Sequence, residues 1–376
     1  MKKILIFTDS FLPGFKGGGP ITSISNLVSL LNNSFDILIC TRDRDSGEIE
    51  PYKDILSDKK TKYEEFNVIY LSKKNKENIS TVIENFNPDL IYLNSFFSKT
   101  TQTVMFLNKF NFKKKIIVAP RGELQQNALN IKKTKKLLYL FVYKLFGLYK
   151  NIHFHSTDTI ETKRIKDMFQ IDNVTELQNA VKLHKFNPLT KKENELKLIF
   201  VSRVSRKKNL HYALELLSSI KYDISFDIYG PKEDMDYWNE CQNIIDKLPD
   251  NIIVSYKGSL SQNQIVDKMR EYHAFFFPTL SENFGHVIVE AMQAGLVPII
   301  SDQTPWRNLE KIGAGWDFPL DDKKAYIEAI NKLYFMSNEE YTKKSLATIK
   351  YIASKLDMKK LAKGYTAFYN KIIKSE

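Results

Sequence analysis

Phe275 to Ser301 reads FFFPTLSENFGHVIVEAMQAGLVPIIS, a strand, a loop, a helix and a second strand in 27 residues. The run Ala274–Phe277 is apolar and aromatic, as a buried strand is. The loop closes at Gly285, a helix carries Val287 to Ala294, and Val297–Ile300 restores the strand pattern. A parallel α/β sheet follows from that order. The backbone amides of Asn283, Phe284, Gly285, His286 and Val287 then stand at a helix N-terminus, where unpaired N–H groups and the positive end of the helix dipole favour an anion. A diphosphate suits such a site.

Two acids frame this loop, Glu282 ahead of the helix and Glu290 about one and a half turns inside it. A carboxylate only accepts hydrogen bonds, so each is a partner for vicinal hydroxyls, one on a sugar ring and one on a ribose. Glutamates at this spacing are ordinarily surface charges. The surrounding glycines and apolar strand weaken that plain reading considerably. Upstream, LIFVSRVSRKKNLHYALELL (Leu198–Leu217) puts Arg203 just past a strand and Lys208 at a helix start, with Arg206 and Lys207 beside them. Such cations would compensate a bound diphosphate and the charge developing on it as it leaves. Spacing alone does not choose among the four.

The pattern repeats along the chain. Ile4–Phe7, Phe35–Cys40, Asn67–Leu71, Leu90–Leu93 and Ile116–Ala119 read as strands of a first doubly wound unit; Leu198–Val201, Ile224–Tyr229, Ile252–Tyr256, Ala274–Phe277 and Val297–Ile300 read as strands of a second. The polar stretch Lys185–Glu195, with Pro188, reads as a linker. The expected domains are residues 1–187 and 188–355, with a helix over 356–376 returning to the first. Two such units facing each other would place the carboxyl ends of both sheets at one cleft. In the first unit, Gly17, Gly18 and Gly19 precede a helix opened near Pro20, a loop where backbone can approach a ligand closely. It fits neither G-x-G-x-x-G nor a Walker loop, and a flexible turn is the plain alternative.

Composition excludes several classes. With 43% hydrophobic and 27% charged residues, 14 glycines and 12 prolines, the chain is neither disordered nor fibrous. The net charge of +12 calls for an anionic partner or reflects a lysine-rich background, and no nucleic-acid signature accompanies it. The start MKKILIFTDS lacks the apolar stretch of a signal peptide, so the expectation is a cytoplasmic protein whose Cys40 and Cys241 are reduced packing residues.

Taken together, SENFGHVIVEAMQAGLVPII, the preceding RVSRKKN and the N-terminal GGGP resemble the family-4, or group 1, glycosyltransferases of the GT-B fold. The likeness extends to Ile228–Pro231, Tyr237–Trp238, Lys257–Leu260, Thr304–Trp306, Gly313–Trp316, Pro120–Gly122 and Gln178–Val181. It implies a retaining, metal-independent transferase, without cofactor, taking a nucleotide-sugar, UDP-linked by default, and a glycan or lipid-linked acceptor in bacterial surface polysaccharide assembly. Within it, Arg203 and Lys208 match the pair that binds donor phosphates, Glu282 the donor-sugar contact, Glu290 the ribose contact, and Asn283 to His286 the loop whose backbone touches sugar and phosphate. Gly18 and Gly19 match the facing loop. Many members carry a histidine where this chain has Asn94 and Ser95, so these two and Arg121 stand as acceptor-side candidates. That departure motivates one rival, a silent partner subunit; a sugar-nucleotide epimerase of the same fold is another.

Three further patterns need placing. Asp43-Arg44-Asp45 and Asp234-Met235-Asp236 have the Asp-x-Asp form of metal-dependent transferases, but Arg42 and Arg44 would oppose a cation at the first and the second reads as a helix start. His153 and His155 share one face of a strand without a third ligand nearby. Between Leu124 and Thr157 there is no acidic residue, while Lys132, Lys133, Lys135, Lys136, Lys144 and Lys150 surround LLYLFVYKLFGLY. Residues 132–150 are read either as a buried helix with a basic entrance or as a contact with an anionic membrane, peripheral at its inner face.

Overall fold

The computed structural model describes residues 1–125, 129 and 133–375. The chain divides into two compact units, residues 1–181 with the C-terminal segment from Met358, and residues 182–357.

In the first unit, eight strands form one sheet: β1 (Lys2–Thr8), β2 (Phe35–Arg42), β3 (Lys60–Tyr63), β4 (Phe66–Leu71), β5 (Leu90–Asn94), β6 (Lys115–Ala119), β7 (Ile152–Ser156) and β8 (Val174–Glu176). Their order is β3-β4-β2-β1-β5-β6-β7-β8, and β3 alone runs antiparallel to its neighbour. Alternate strand residues feed two cores. Leu5, Phe7, Leu38, Cys40, Ile91 and Leu93 pack on one face; Ile4, Ile6, Ile37, Ile39, Leu90 and Tyr92 pack on the other. Both faces must therefore be covered. Tyr365, Phe368, Tyr369 and Ile372 recur at helical spacing and carry the C-terminal helix Met358–Lys374 onto the second of these cores. The edge strand β3, KTKY, is too polar to be read from apolar pattern.

Besides the C-terminal helix, the described α-helices of this unit are α1 (Gly19–Leu31), α2 (Lys76–Phe86), α3 (Lys99–Leu107), α4 (Lys133–Leu145) and α5 (Thr159–Phe169). Their starts follow side-chain chemistry. Asn75, Ser98 and Asp158 each accept a backbone N–H of the first turn, and Pro20 opens α1.

The second unit holds β9 (Leu196–Val201), β10 (Ile224–Tyr229), β11 (Ile252–Tyr256), β12 (Ala274–Phe277), β13 (Val297–Ser301) and β14 (Trp316–Phe318), in the order β11-β10-β9-β12-β13-β14. All pairs are parallel. Numbered within the unit this is 3-2-1-4-5-6, the Rossmann order, whose switch point lies between β9 and β12. The first unit repeats it, with the switch between β1 and β5. Each is a Rossmann-like α/β domain, the pairing found in the GT-B fold.

The polar stretch 185–195 is not a free linker. Leu189 is buried, its N–H donates to Ser345 Oγ at 2.9 Å, and Lys191 gives its N–H to Asn338 and its ammonium to the Tyr334 carbonyl. Its polarity reflects backbone and side-chain pairing with the helix pair Lys323–Phe335 and Asn338–Lys355, which a pattern of apolar spacing cannot reveal. No described helix is long and apolar enough to cross a membrane.

Candidate functional site

The two loops at the second unit's switch point are stitched together. After β9, Ser202 leads to a short 3-10 turn, Arg206–Lys208, ended by Asn209 in the left-handed conformation (φ 61°). The buried Asn209 amide donates to the Pro278 carbonyl at 2.8 Å, while Thr279 Oγ1 and Leu280 N–H both donate to the Lys207 carbonyl, at 3.1 and 3.0 Å. The loop after β12 is thus locked against the turn that carries the basic residues. On this platform the Lys208 ammonium and the Glu282 carboxylate form an ion pair, their side chains only 13% and 11% exposed. Thr279 Oγ1 reaches the same oxygen of Glu282 at 3.4 Å, and the Glu282 N–H donates to the Gln303 carbonyl at 2.9 Å.

The four cations left open by spacing separate here. Arg206 turns to Glu240, at 2.8 Å, and stacks on Tyr237, so it serves the helix Met235–Ile245. Arg203 pairs with Glu233 at 2.6 Å at a half-exposed position. Lys208 forms the ion pair with Glu282, while Lys207, its ammonium pushed down chiefly by burial, feels the same carboxylate through space.

Gly285 caps the next helix, His286–Ala294, with φ 74°; it offers no side chain, and its carbonyl accepts from the N–H groups of Ile288 and Val289 at 2.9 and 3.2 Å. Phe284 is clamped between His286 and Trp306, and Trp306 Nε1 donates to the Phe284 carbonyl at 2.6 Å, fixing the loop. Glu290 lies in the helix and accepts from Gln262 at 2.6 Å. Withdrawal from water pushes its carboxyl up to about 7, against the lowering effect of the Gln262 hydrogen bond.

The first unit brings a different set together. Gly18, with φ 62° and ψ −135°, occupies a conformation only glycine adopts readily, directly before α1, and Gly19 is that helix's first residue. The loop before it is held by Asp45, which accepts from the N–H groups of Phe15 and Lys16 at 2.8 and 3.1 Å. At the ends of β5 and β6, Arg121 donates to Asn94 Oδ1 at 2.8 Å, to Tyr92 Oη at 2.9 Å and to Asn179 Oδ1. Tyr92 in turn meets His155 Nδ1 at 2.6 Å, and His155 Nε2 lies 2.9 Å from the Leu177 carbonyl. A carbonyl only accepts, so Nε2 carries the proton and Tyr92 donates to Nδ1. Burial and the nearby Arg121 hold this imidazole down at about 3, so it is neutral. Ser95 is spoken for: φ is 118° and its hydroxyl donates to Glu123 at 2.8 Å, which also accepts from the Phe96 and Phe97 N–H groups. Ser95 thus shapes a turn, and its hydroxyl is held within the protein.

The other patterns are structural. Asp43 binds Arg44 and Ser57, and Asp234 caps the helix from Met235. His153 meets Thr175 at 2.9 Å. Cys40 and Cys241 are buried free thiols, with burial pushing Cys241 up to about 11.

The model of a protein family, the group 1 glycosyl transferases, matches residues 181–352. The second unit is a group 1 glycosyltransferase domain. A GDP-mannose:cellobiosyl-diphosphopolyprenol alpha-mannosyltransferase of Xanthomonas campestris is 28% identical over 182 residues, 47% of this chain and 47% of that protein. The chain thus matches about half the length of that relative. Among solved structures, a sucrose-phosphate synthase of Thermosynechococcus elongatus superposes with a TM-score of 0.76 at 14% identity, covering 99% of both chains. Anabaena HepE, solved with UDP and glucose, gives 0.72 at 13%, covering 99% of this chain and 100% of that one. Both likenesses extend the fold to the whole chain.

Several residues that organise the glycosyltransferase domain carry little sequence signal. Asn209, Thr279 and Gln303 act through backbone carbonyls and N–H groups, for which no residue pattern exists. Trp306 had a signal in the Thr304–Trp306 match, without a role attached to it. Gly230 is another. With φ +134°, a Cβ there would lie 1.9 Å from the Ser202 carbonyl oxygen, on the strand end that launches Arg203. Gly230→Ala is expected to cost roughly 1–3 kcal/mol and to shift the strand end that carries Arg203. Thermal unfolding measures the cost.

Proposed function

We propose that the chain is a retaining, metal-independent glycosyltransferase that moves a sugar from a nucleoside-diphosphate donor to a hydroxyl of a glycan or lipid-linked acceptor. The observation that carries this reading is the Lys208–Glu282 pair, set beside a helix N-terminus at the switch point of a group 1 domain. Lys208 and Arg203 bind the diphosphate, joined by amides of the 283–287 loop. Glu282, released from Lys208 by the incoming phosphate, accepts from sugar hydroxyls. Glu290 accepts from the ribose. In the first unit, Gly18 and Gly19 leave backbone open to a close approach by ligand, and Asn94 and Arg121 serve the acceptor side.

In the reaction the bond between the anomeric carbon and the diphosphate oxygen breaks, and the acceptor oxygen bonds to the same face of that carbon. The acceptor proton passes to the departing diphosphate, which needs no protein base. Lys208 and Arg203 stabilise the charge growing on that leaving group. For the base we take UDP as the default, with GDP as the alternative suggested by the mannosyltransferase relative. Assembly of a surface polysaccharide on a lipid carrier is the setting that relative's acceptor supports.

The test is thermal stabilisation against UDP-, GDP- and dTDP-sugars with a chelator present. A ligand at a hundred times its Kd adds about 2.7 kcal/mol to the folded state, a shift of several degrees. One selective donor is the expected result. Absence of any shift across the panel removes the donor reading; a shift without sugar transfer or donor hydrolysis makes the chain a silent partner.

A further inference from the structure

Helix α4 has two apolar faces, and among the described residues only one of them is covered. Leu140 and Tyr143 are buried, with Tyr139 packed against the same core beside Phe96. On the opposite side Leu137, Leu138, Phe141, Val142 and Leu145 recur at i, i+1, i+4, i+5 and i+8, all exposed, Leu138 by 65% and Phe141 by 64%. A soluble helix ordinarily turns a polar face outward, and an outward apolar stripe marks a surface that meets something.

The stripe has a charged frame. At 100° per residue, Lys133 and Lys144 fall on one side of it and Lys135 on the other, all three exposed. Phe146 continues it past the helix end, and Lys109 reaches the Phe146 carbonyl from the neighbouring π-helical turn Asn108–Phe112. Beside Lys109, the rings of Phe106 and Phe110, both about half exposed, pack at 4.8 Å. Apolar side chains flanked by lysines, in a segment with no carboxylate from residue 124 to 157, match one surface in both respects: acyl chains below, phosphate headgroups above. Lys132 lies outside the described residues.

We propose that the outer face of α4, continued by Phe106 and Phe110, docks this chain on an anionic lipid bilayer. The observations concern the first unit's surface and do not depend on the donor reading. Apolar burial supplies affinity, and the lysines supply preference for anionic lipid.

The experiment is sedimentation of the full chain with phosphatidylcholine vesicles, with and without phosphatidylglycerol. Binding is expected with phosphatidylglycerol and is expected to weaken with salt. Phe141→Ser and Leu138→Ser, at exposed positions that leave the core intact, lower the partition coefficient roughly ten- to a hundredfold each. Lys133→Gln or Lys135→Gln lowers it about fivefold. Binding that survives both serine variants overturns the proposal, as does failure to bind phosphatidylglycerol vesicles. A dimer in solution that Phe141→Ser converts to a monomer overturns it too, assigning the face to a second copy of the chain. Thermal stabilisation by a nucleotide-sugar, measured on the same samples, reports the donor site separately.

Discussion

In the proposed reaction, Lys208→Met is expected to lower sugar transfer by about a hundred- to a thousandfold, the cost of removing one preorganised charge from a leaving group that becomes anionic in the transition state. The loss falls mainly on kcat, because the diphosphate gains charge as the glycosidic bond breaks. The same change leaves Glu282 as a largely buried carboxylate without its cation, so the ligand-free protein loses roughly 1–3 kcal/mol as well. Glu282→Gln strands the ammonium in the same way. The double variant Lys208→Met/Glu282→Gln separates the two effects, since neither charge is then left alone and stability returns most of the way toward the parent. Turnover does not return with it. Recovery of both in the double variant identifies the pair as a structural ion pair and removes Lys208 from the leaving-group role. Denaturant midpoints and initial transfer rates on the four proteins complete the cycle.

This cycle tests a pairing that the sequence placed in one site without joining. Glu282 and Lys208 lie 74 residues apart, and spacing offered Arg203, Arg206 and Lys207 as equals of Lys208. What separates them is the twist of a turn. Asn209, left-handed and bonded to the Pro278 carbonyl, sends Lys208 toward the loop after β12, while Arg206 turns onto the helix Met235–Ile245. Strands with strong apolar runs, such as Ile4–Phe7 and Ala274–Phe277, were legible because burial on both faces leaves an unbroken signal. The edge strands β3, β8 and β14 were not, being short and half exposed. The segment 185–195 misled for the converse reason: it is held by hydrogen bonds from backbone N–H groups, which leave no trace in composition.

The first unit shows the same limit. Arg121 could be singled out from Pro-Arg-Gly, but its partners come from two distant segments, Tyr92 and Asn94 from β5 and Asn179 from beyond β8. All three are neutral. Among the described residues its hydrogen-bond partners are thus dipoles, with the Glu161 carboxylate acting on it through space. His155, which pattern alone presented as one of two alternating histidines, instead closes the chain behind Tyr92 and stays neutral.

Glu290 yields the second large effect, and its direction differs between stability and binding. Its carboxyl titrates at about 7 in the folded protein, above its ordinary 4.5, because burial disfavours the charge. Between those values the unfolded chain is ionised and the folded one is protonated, so stability falls as pH rises through that window. Above it the full cost is present. Glu290→Gln removes the cost, stabilising the ligand-free protein at pH 8 by roughly 1–3 kcal/mol while leaving it nearly unchanged at pH 4. Donor binding runs the other way. Accepting from both ribose hydroxyls requires the carboxylate, so affinity for a nucleotide-sugar, whose diphosphate diester does not titrate in this range, rises as pH goes from 6 to 8 and approaches a tenfold change per unit below 7. In Glu290→Gln that dependence disappears and affinity at pH 8 falls by roughly ten- to a hundredfold, the loss expected for hydrogen bonds to a charged group. Calorimetric titration at three pH values decides it: an unchanged pH profile in the glutamine variant would take the ribose away from Glu290. A rise in melting temperature with a loss of donor affinity would mark it as a group held at a stability cost for binding.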